Sequence, residues 1–343
     1  MSHPQDTHPE LSAQVEAAWA RFRNGPGGML LQESLTLRSS YLASIGLPRL
    51  PPEVTLPGAI PWNLLAKAEA EARGKAIGDT LSAAGTILAQ SVATWAAYRE
   101  AKTCYRVEPV LAEALGRTPW PVQVPTEALR LPSRCPVLTL PWEGETVHVA
   151  AYYDLLTSRE QTGELELRLV RLEDAHWWAV SILHLFGQDL GACVRSAGAR
   201  VEMEGGPADA FKTDLAGLVL TVLLYLGGEP DLVRQVHPGA KPAREARMQQ
   251  REPERWKDLR SPALFAVGTA YRAAIERWEQ EQAKERGEPT GRTVRPHVRR
   301  AHAHLYWTGA GRKTPRVRFL LPIPVKGAPV PEERPAPMQT PIR

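Results

Sequence analysis

Near the C-terminal end of this 343-residue chain, His297, His302 and His304 stand in the segment Arg295–Val325, RPHVRRAHAHLYWTGAGRKTPRVRFLLPIPV. Imidazoles can ligate metals, move protons or meet phosphates, and their neighbours decide which. On a strand, residues two apart share a face, so Arg300, His302, His304 and Tyr306 would project together. A histidine pair at that spacing could hold zinc or share an acid–base task. No cysteine or acid lies nearby in sequence, and adjacent arginines disfavour a divalent cation, so neither a metal nor a small-molecule cofactor is expected. From Pro289 to Val330 there is no Asp or Glu, while Tyr306, Trp307 and Phe319 are interleaved with the cations. Concentrated positive charge beside stackable rings suits a polyanion, single-stranded nucleic acid in particular. The expected contact surface comprises Arg295, His297, Arg299, Arg300, His302, His304, Tyr306, Trp307, Arg316 and Arg318. The competing reading is a charged edge that only discourages strand pairing.

The whole chain carries a modest net charge of +4, unevenly spread. Residues 241–318 hold 19 Lys and Arg against 9 Asp and Glu, whereas acids exceed bases elsewhere. That asymmetry implies a basic C-terminal face on an otherwise acidic protein. With 43% hydrophobic residues, the chain is rich enough to build a substantial core. Cys104, Cys135 and Cys193 show no metal-ligand or redox spacing, so each is expected to be buried as a small apolar side chain in a reducing cytoplasm. No signal peptide is legible at the N-terminus. The most apolar stretch, Leu215–Leu226, falls short of the roughly 20 residues a membrane span needs and reads as a core helix.

The elements that would position the basic segment follow from periodicity. Residues 1–10 and 328–343 read as disordered tails, 11–104 as a helical N-terminal region, and 105–327 as an α+β core. In the first region a helix over 11–23 would bury Val15, Trp19 and Phe22. Residues 48–61 form a proline-rich connector, and Asn63 would cap a long helical pattern running through Ile77, Leu81, Leu88, Val92 and Trp95, with Gly74 and Gly78 as breakpoints. Residues 105–135 read as short helical turns among prolines. Four β-rich runs, 136–140, 146–155, 164–173 and 177–186, have connections too short for crossover helices and predict an antiparallel meander. In the third, Leu165, Leu167 and Leu169 alternate with Glu164, Glu166 and Arg168. Trp177 and Trp178 would pack a sheet edge, and His184 reads as a hydrogen-bonded core histidine. Helices over 189–200 and 209–226 would cover the sheet, residues 237–260 form an exposed crossing, and Ser261-Pro262 would start a helix. Residues 297–307 and 316–325 then make a β-hairpin that could extend the meander.

Familiar enzyme signatures are absent: the sequence holds no G-x-S-x-G, H-E-x-x-H or paired C-x-x-C. Gly309-Ala310-Gly311-Arg312-Lys313-Thr314 fails as a phosphate loop, because Arg312 precedes the lysine and Pro315 leads into a strand. Asp154, Glu143, Glu145, Glu173 and Asp174 show no nuclease spacing.

Several blocks taken together resemble one of the type V-A anti-CRISPR families, the large inhibitor that lowers production of the effector nuclease. They are YRVEPVLAEALGRTPWPVQVPTEALRLP (105–132), LAGLVLTVLLYLGGEPD (215–231), Ala266-Val267-Gly268, RPHVRRAHAHLYW (295–307) and RFLLPIPV (318–325). Relatives tend to carry a tryptophan where this chain has Ala303, and Arg134-Cys135-Pro136-Val137 departs from their usual aromatic pattern. The resemblance implies a cytoplasmic, non-enzymatic protein of a mobile element. Such a protein would repress synthesis of a type V-A effector by recognising its nascent N-terminal peptide, its transcript or the ribosome during translation. A ribonuclease using His302 or His304 with acids of the meander is the alternative. A third reading is an interaction module, such as a homodimer, whose basic hairpin meets an acidic surface.

Overall fold

The structure, a computed structural model, describes residues 8–45, 47, 49–51, 53–73, 82–119, 121, 123–155, 165–185, 189–194, 213–228, 233–237, 262–285, 297–298, 302–320 and 324–325. The expected disordered tails, except for residues 8–10, therefore lie outside the described residues, as do Ile77, Leu81, Gly74, Gly78 and most of the crossing over 237–260. The fold class is the expected one, α+β with an antiparallel meander, a helical N-terminal region and a C-terminal hairpin.

The meander consists of β2 (Pro136–Trp142), β3 (Glu145–Leu155), β4 (Leu165–Glu173) and β5 (His176–His184), joined antiparallel in sequence order. It supplies four strands of a seven-stranded mixed sheet. Three strands were not anticipated: β1 (Thr103–Val107), β6 (Val233–His237) and β7 (Ala263–Val267). β1 lies parallel to both β2 and β7, and β6 closes the far edge antiparallel to β7, giving the order β5-β4-β3-β2-β1-β7-β6. The expected helix start at Ser261-Pro262 is corrected accordingly. Ala263–Val267 is a strand, and Gly268 at φ 91° turns the chain into the helix that follows. Leu264, Tyr271, Ile275 and Trp278 fit helical spacing, yet a short apolar run bounded by proline and glycine is equally a buried strand. Pairing on both sides, with β1 and β6, decided it.

Four helices cover one face of the sheet: α1 (His8–Asn24), α2 (Pro26–Ser44), α3 (Ala59–Arg73) and α4 (Ala83–Ala101). α1 buries Val15, Ala18, Trp19 and Phe22 on one stripe, as the spacing required. α2 starts at Pro26, whose fixed φ suits the first helical turn; it was unforeseen because Asn24-Gly25-Pro26 also ends α1. Asn63 is interior to α3 and caps nothing. The breakpoint inside the long pattern is supplied by Ser82, which accepts from the Gly85 N–H at 3.1 Å and starts α4. Trp95 of α4 is fully buried against Trp177 of β5, with ring centroids 5.1 Å apart. Cys104 and Cys135 belong to this layer's core; Cys193, on a short helical segment, belongs to the other, and all three are buried.

The opposite face carries α5 (Pro109–Gly116) and α6 (Thr213–Gly228), whose Leu215–Leu226 stretch is core as expected. Leu138, Leu140, Val149, Leu167, Leu169 and Leu183 point from the strands into this second core. α7 (Thr269–Glu285) packs beside α5. Because both sheet faces are covered, the Glu166 and Arg168 side of β4 is interior, not a solvated face; Glu166 is 2% exposed.

Candidate functional site: the basic hairpin

The hairpin pairs β9 (His302–Thr308) with β10 (Thr314–Leu320) in a sheet of its own, so it does not extend the meander. A short pair, β8 (His297–Val298) with β11 (Pro324–Val325), lies apart from it. The hairpin's inner face is apolar and docks on α6. Val317 and Phe319 are buried in the second core, Ala303 and Leu305 pack against it, and Phe319 meets Tyr225 edge-on at 6.0 Å. Phe319 is therefore a packing ring, unavailable for stacking on a ligand. At the end of α6, a Cβ on Gly228 would lie 2.0 Å from the Val317 carbonyl oxygen, so only glycine admits the strand this close.

Strand alternation then turns the polar set outward. His302, His304 and Tyr306 are exposed on one face of β9, with ring centroids 4.9 Å apart for the histidine pair and 6.1 Å for His304 and Tyr306. Register places Arg318 opposite His304 and Arg316 opposite Tyr306. The result is a ladder of three rings flanked by two guanidinium groups, with exposed Arg312 and Lys313 at the turn. Gly309 at φ 79° and Gly311 at φ 69° form that turn, which joins two strands and cradles no phosphate in the manner of a strand–loop–helix motif. Trp307 lies across from Pro315, on the α6 side by alternation, yet remains 50% exposed beyond the docked region.

Of the expected contact residues, the structure brings together His302, His304, Tyr306, Arg316 and Arg318. His297 sits on β8, and Arg295, Arg299 and Arg300 lie outside the described residues. Among the described residues, no cluster of three His, Cys, Asp or Glu side chains could hold a metal. Asp154 shares its sheet face with Ala150 and Tyr152, under the N-terminal helices, whereas the hairpin packs in the core on the other side. It forms no catalytic pair with the hairpin histidines. Glu145 and Glu173 instead flank Arg171 at 3.6 and 3.4 Å. Among the described residues, no helix is long and apolar enough to cross a membrane.

Trp177 packs as expected, and Trp178 is left 43% exposed beside it. His184 is half-buried, with Nδ1 3.7 Å from Glu166 Oε2. Sequence reasoning placed Glu166 and Arg168 on the strand face opposite the leucines and gave them no role. The signal that identifies them is cross-strand, with Arg168 opposite Tyr152 and Glu166 opposite Asp154, and it is absent from either strand read alone.

A comparison with solved structures finds the crystal structure of AcrVA2 similar in fold, with a TM-score of 0.55, 18% identity, and coverage of 91% of this chain and 97% of that one. A search of curated protein sequences gives no match. The family described as AcrVA2-like, anti-CRISPR type V subtype A2, matches residues 105–327, which take in the hairpin, α6 and the whole sheet apart from the first residues of β1. The chain thus belongs to the AcrVA2-like anti-CRISPR type V subtype A2 family.

Proposed function

We propose that this protein is a non-enzymatic repressor of type V-A effector synthesis whose hairpin contacts the effector's transcript during translation. The observation that carries this reading is the outward ladder of His302, His304 and Tyr306 opposite Arg316 and Arg318. Ring faces stack on bases of any sequence, and guanidinium groups meet the phosphates between them, which together suit single-stranded RNA. No carboxylate occurs between His302 and Leu320 to oppose a polyanion. Family membership supports the anti-CRISPR context, and the hairpin supplies a way of engaging a message.

Fluorescence anisotropy with short RNAs from the start of an effector message tests this, with the effector's N-terminal peptide as the competing ligand. RNA binding should weaken steeply with salt, since counterion release contributes a slope of about 0.7 per neutralised phosphate on a single strand. Arg316→Ala with Arg318→Ala should flatten that slope by about 1.4. Binding of the peptide alone, with a shallow salt dependence, would replace the transcript by the nascent chain as ligand. Binding of neither ligand would reject both forms of recognition. RNA cleavage that is abolished by His302→Ala with His304→Ala would turn the reading into the ribonuclease alternative.

A further inference from the structure

The spacing of the hairpin rings narrows the kind of single strand they fit. His304 and Tyr306 are exposed on one face of β9, with ring centroids 6.1 Å apart and planes tilted by 59°. At the inner end of the ladder His302 and His304 meet edge to face at 4.9 Å. Consecutive bases of a helical strand rise by about 3.4 Å, so a base sandwiched between two rings needs them parallel and about 6.8 Å apart. Neither ring pair meets that condition. Each ring therefore offers its outer surface to one base, and no base slides between them.

The cations lie to one side of the rings. Register sets Arg316 on β10 across from Tyr306, and Arg312 and Lys313 follow in the exposed turn. A strand that meets rings over β9 and cations over β10 and the turn lies lengthwise on the hairpin. Along β9 the rungs repeat every second residue, about 6.7 Å, which is twice the rise of stacked nucleotides. Successive bases resting on Tyr306 and His304 cannot also rest on each other. Binding thus exchanges the contacts a base makes with its neighbours above and below for a contact with one ring. The exchange costs most where bases stack best on one another, in adenine runs, and least in uracil runs, which scarcely stack. A duplex is excluded more strongly, because pairing and stacking hold its bases inside the helix and away from any ring.

Resting on the transcript reading above, we propose that the hairpin selects an unstacked, uridine-rich single strand. His304 and Tyr306 set this preference, while Arg316 and the cations of the turn add affinity for phosphates of any sequence.

Fluorescence anisotropy of the full chain with labelled decauridylate, decaadenylate and a blunt mixed-sequence RNA duplex of the same length tests this. Decauridylate should bind at least about tenfold tighter than either competitor, the equivalent of one base's stacking. His304→Ala combined with Tyr306→Ala should bring the ratio between the two homopolymers close to one and leave the salt slope unchanged. Arg316→Ala should do the reverse, lowering the slope by about 0.7 and keeping the ratio. Tyr306→Phe retains the ring and should retain the ratio, with circular dichroism confirming that each variant is folded. Decaadenylate or the duplex binding as tightly as decauridylate, or an unchanged ratio in the folded double variant, would overturn this inference and leave transcript binding standing. Failure of these RNAs and of the effector-message RNAs to bind at all would reject the transcript reading, and this inference with it.

Discussion

At the scale of single residues, the clearest commitments are made by polar groups that burial has trapped. Lys102 is 1% exposed, in a left-handed conformation at φ 43°, and its Nζ lies 3.5 Å from Glu16 Oε2. The Tyr98 hydroxyl donates to the other Glu16 oxygen at 2.9 Å, and burial raises the tyrosine pKa well above its ordinary value. Glu16→Gln would leave the ammonium buried beside a neutral amide, and a loss of about 3 kcal/mol in urea unfolding is expected. His148 offers a pH test. It is buried between Thr139 and Gln14, with Nε2 2.8 Å from Gln14 Oε1, and burial lowers its pKa in the folded state. As pH falls, the unfolded chain takes up that proton first, so the stabilisation present at neutral pH is lost progressively below about pH 6.5. The urea midpoint should drop between pH 7 and pH 5.5, and drop less in His148→Gln. On the hairpin, Tyr306→Ala should cost about 1–3 kcal/mol of RNA affinity if one base stacks on that ring.

At the scale of elements, legibility followed the period of the local pattern. The meander strands and the buried stripe of α1 could be read directly, because alternation and helical spacing are properties of one segment. β1, β6 and β7 could not, since five-residue strands are made by their neighbours, and nothing in Ala263–Val267 announces a parallel partner at Thr103–Val107. The same limit applies to the sites. The shared face of His302, His304 and Tyr306 follows from spacing alone, but the addition of Arg316 and Arg318 needs the register, and the burial of Phe319 needs α6. Docking of the hairpin rests on the close approach at Gly228. Gly228→Ala should cost about 1–3 kcal/mol through overpacking and raise amide exchange along β9 and β10 more than in the central sheet.

At the scale of the whole molecule, one sheet separates two cores. The N-terminal helices pack on one face, and α6 presents the basic hairpin on the other. Composition hinted at this division, because the positive charge is concentrated in residues 241–318 of a chain whose remainder is acidic. Trp95 stitches the helical layer to the sheet through Trp19, Tyr98 and Trp177, so Trp95→Ala should cost about 3–5 kcal/mol without touching the hairpin ladder. Action of the hairpin face on effector synthesis, as proposed, can be measured in cells. Effector transcript and protein should therefore be quantified in cells expressing the wild-type chain or the combined His302→Ala, His304→Ala, Arg316→Ala, Arg318→Ala variant at equal abundance. The wild type should lower both quantities and the folded variant neither; unchanged transcript with the wild type, or equal repression by the variant, would contradict a role for the hairpin in repression.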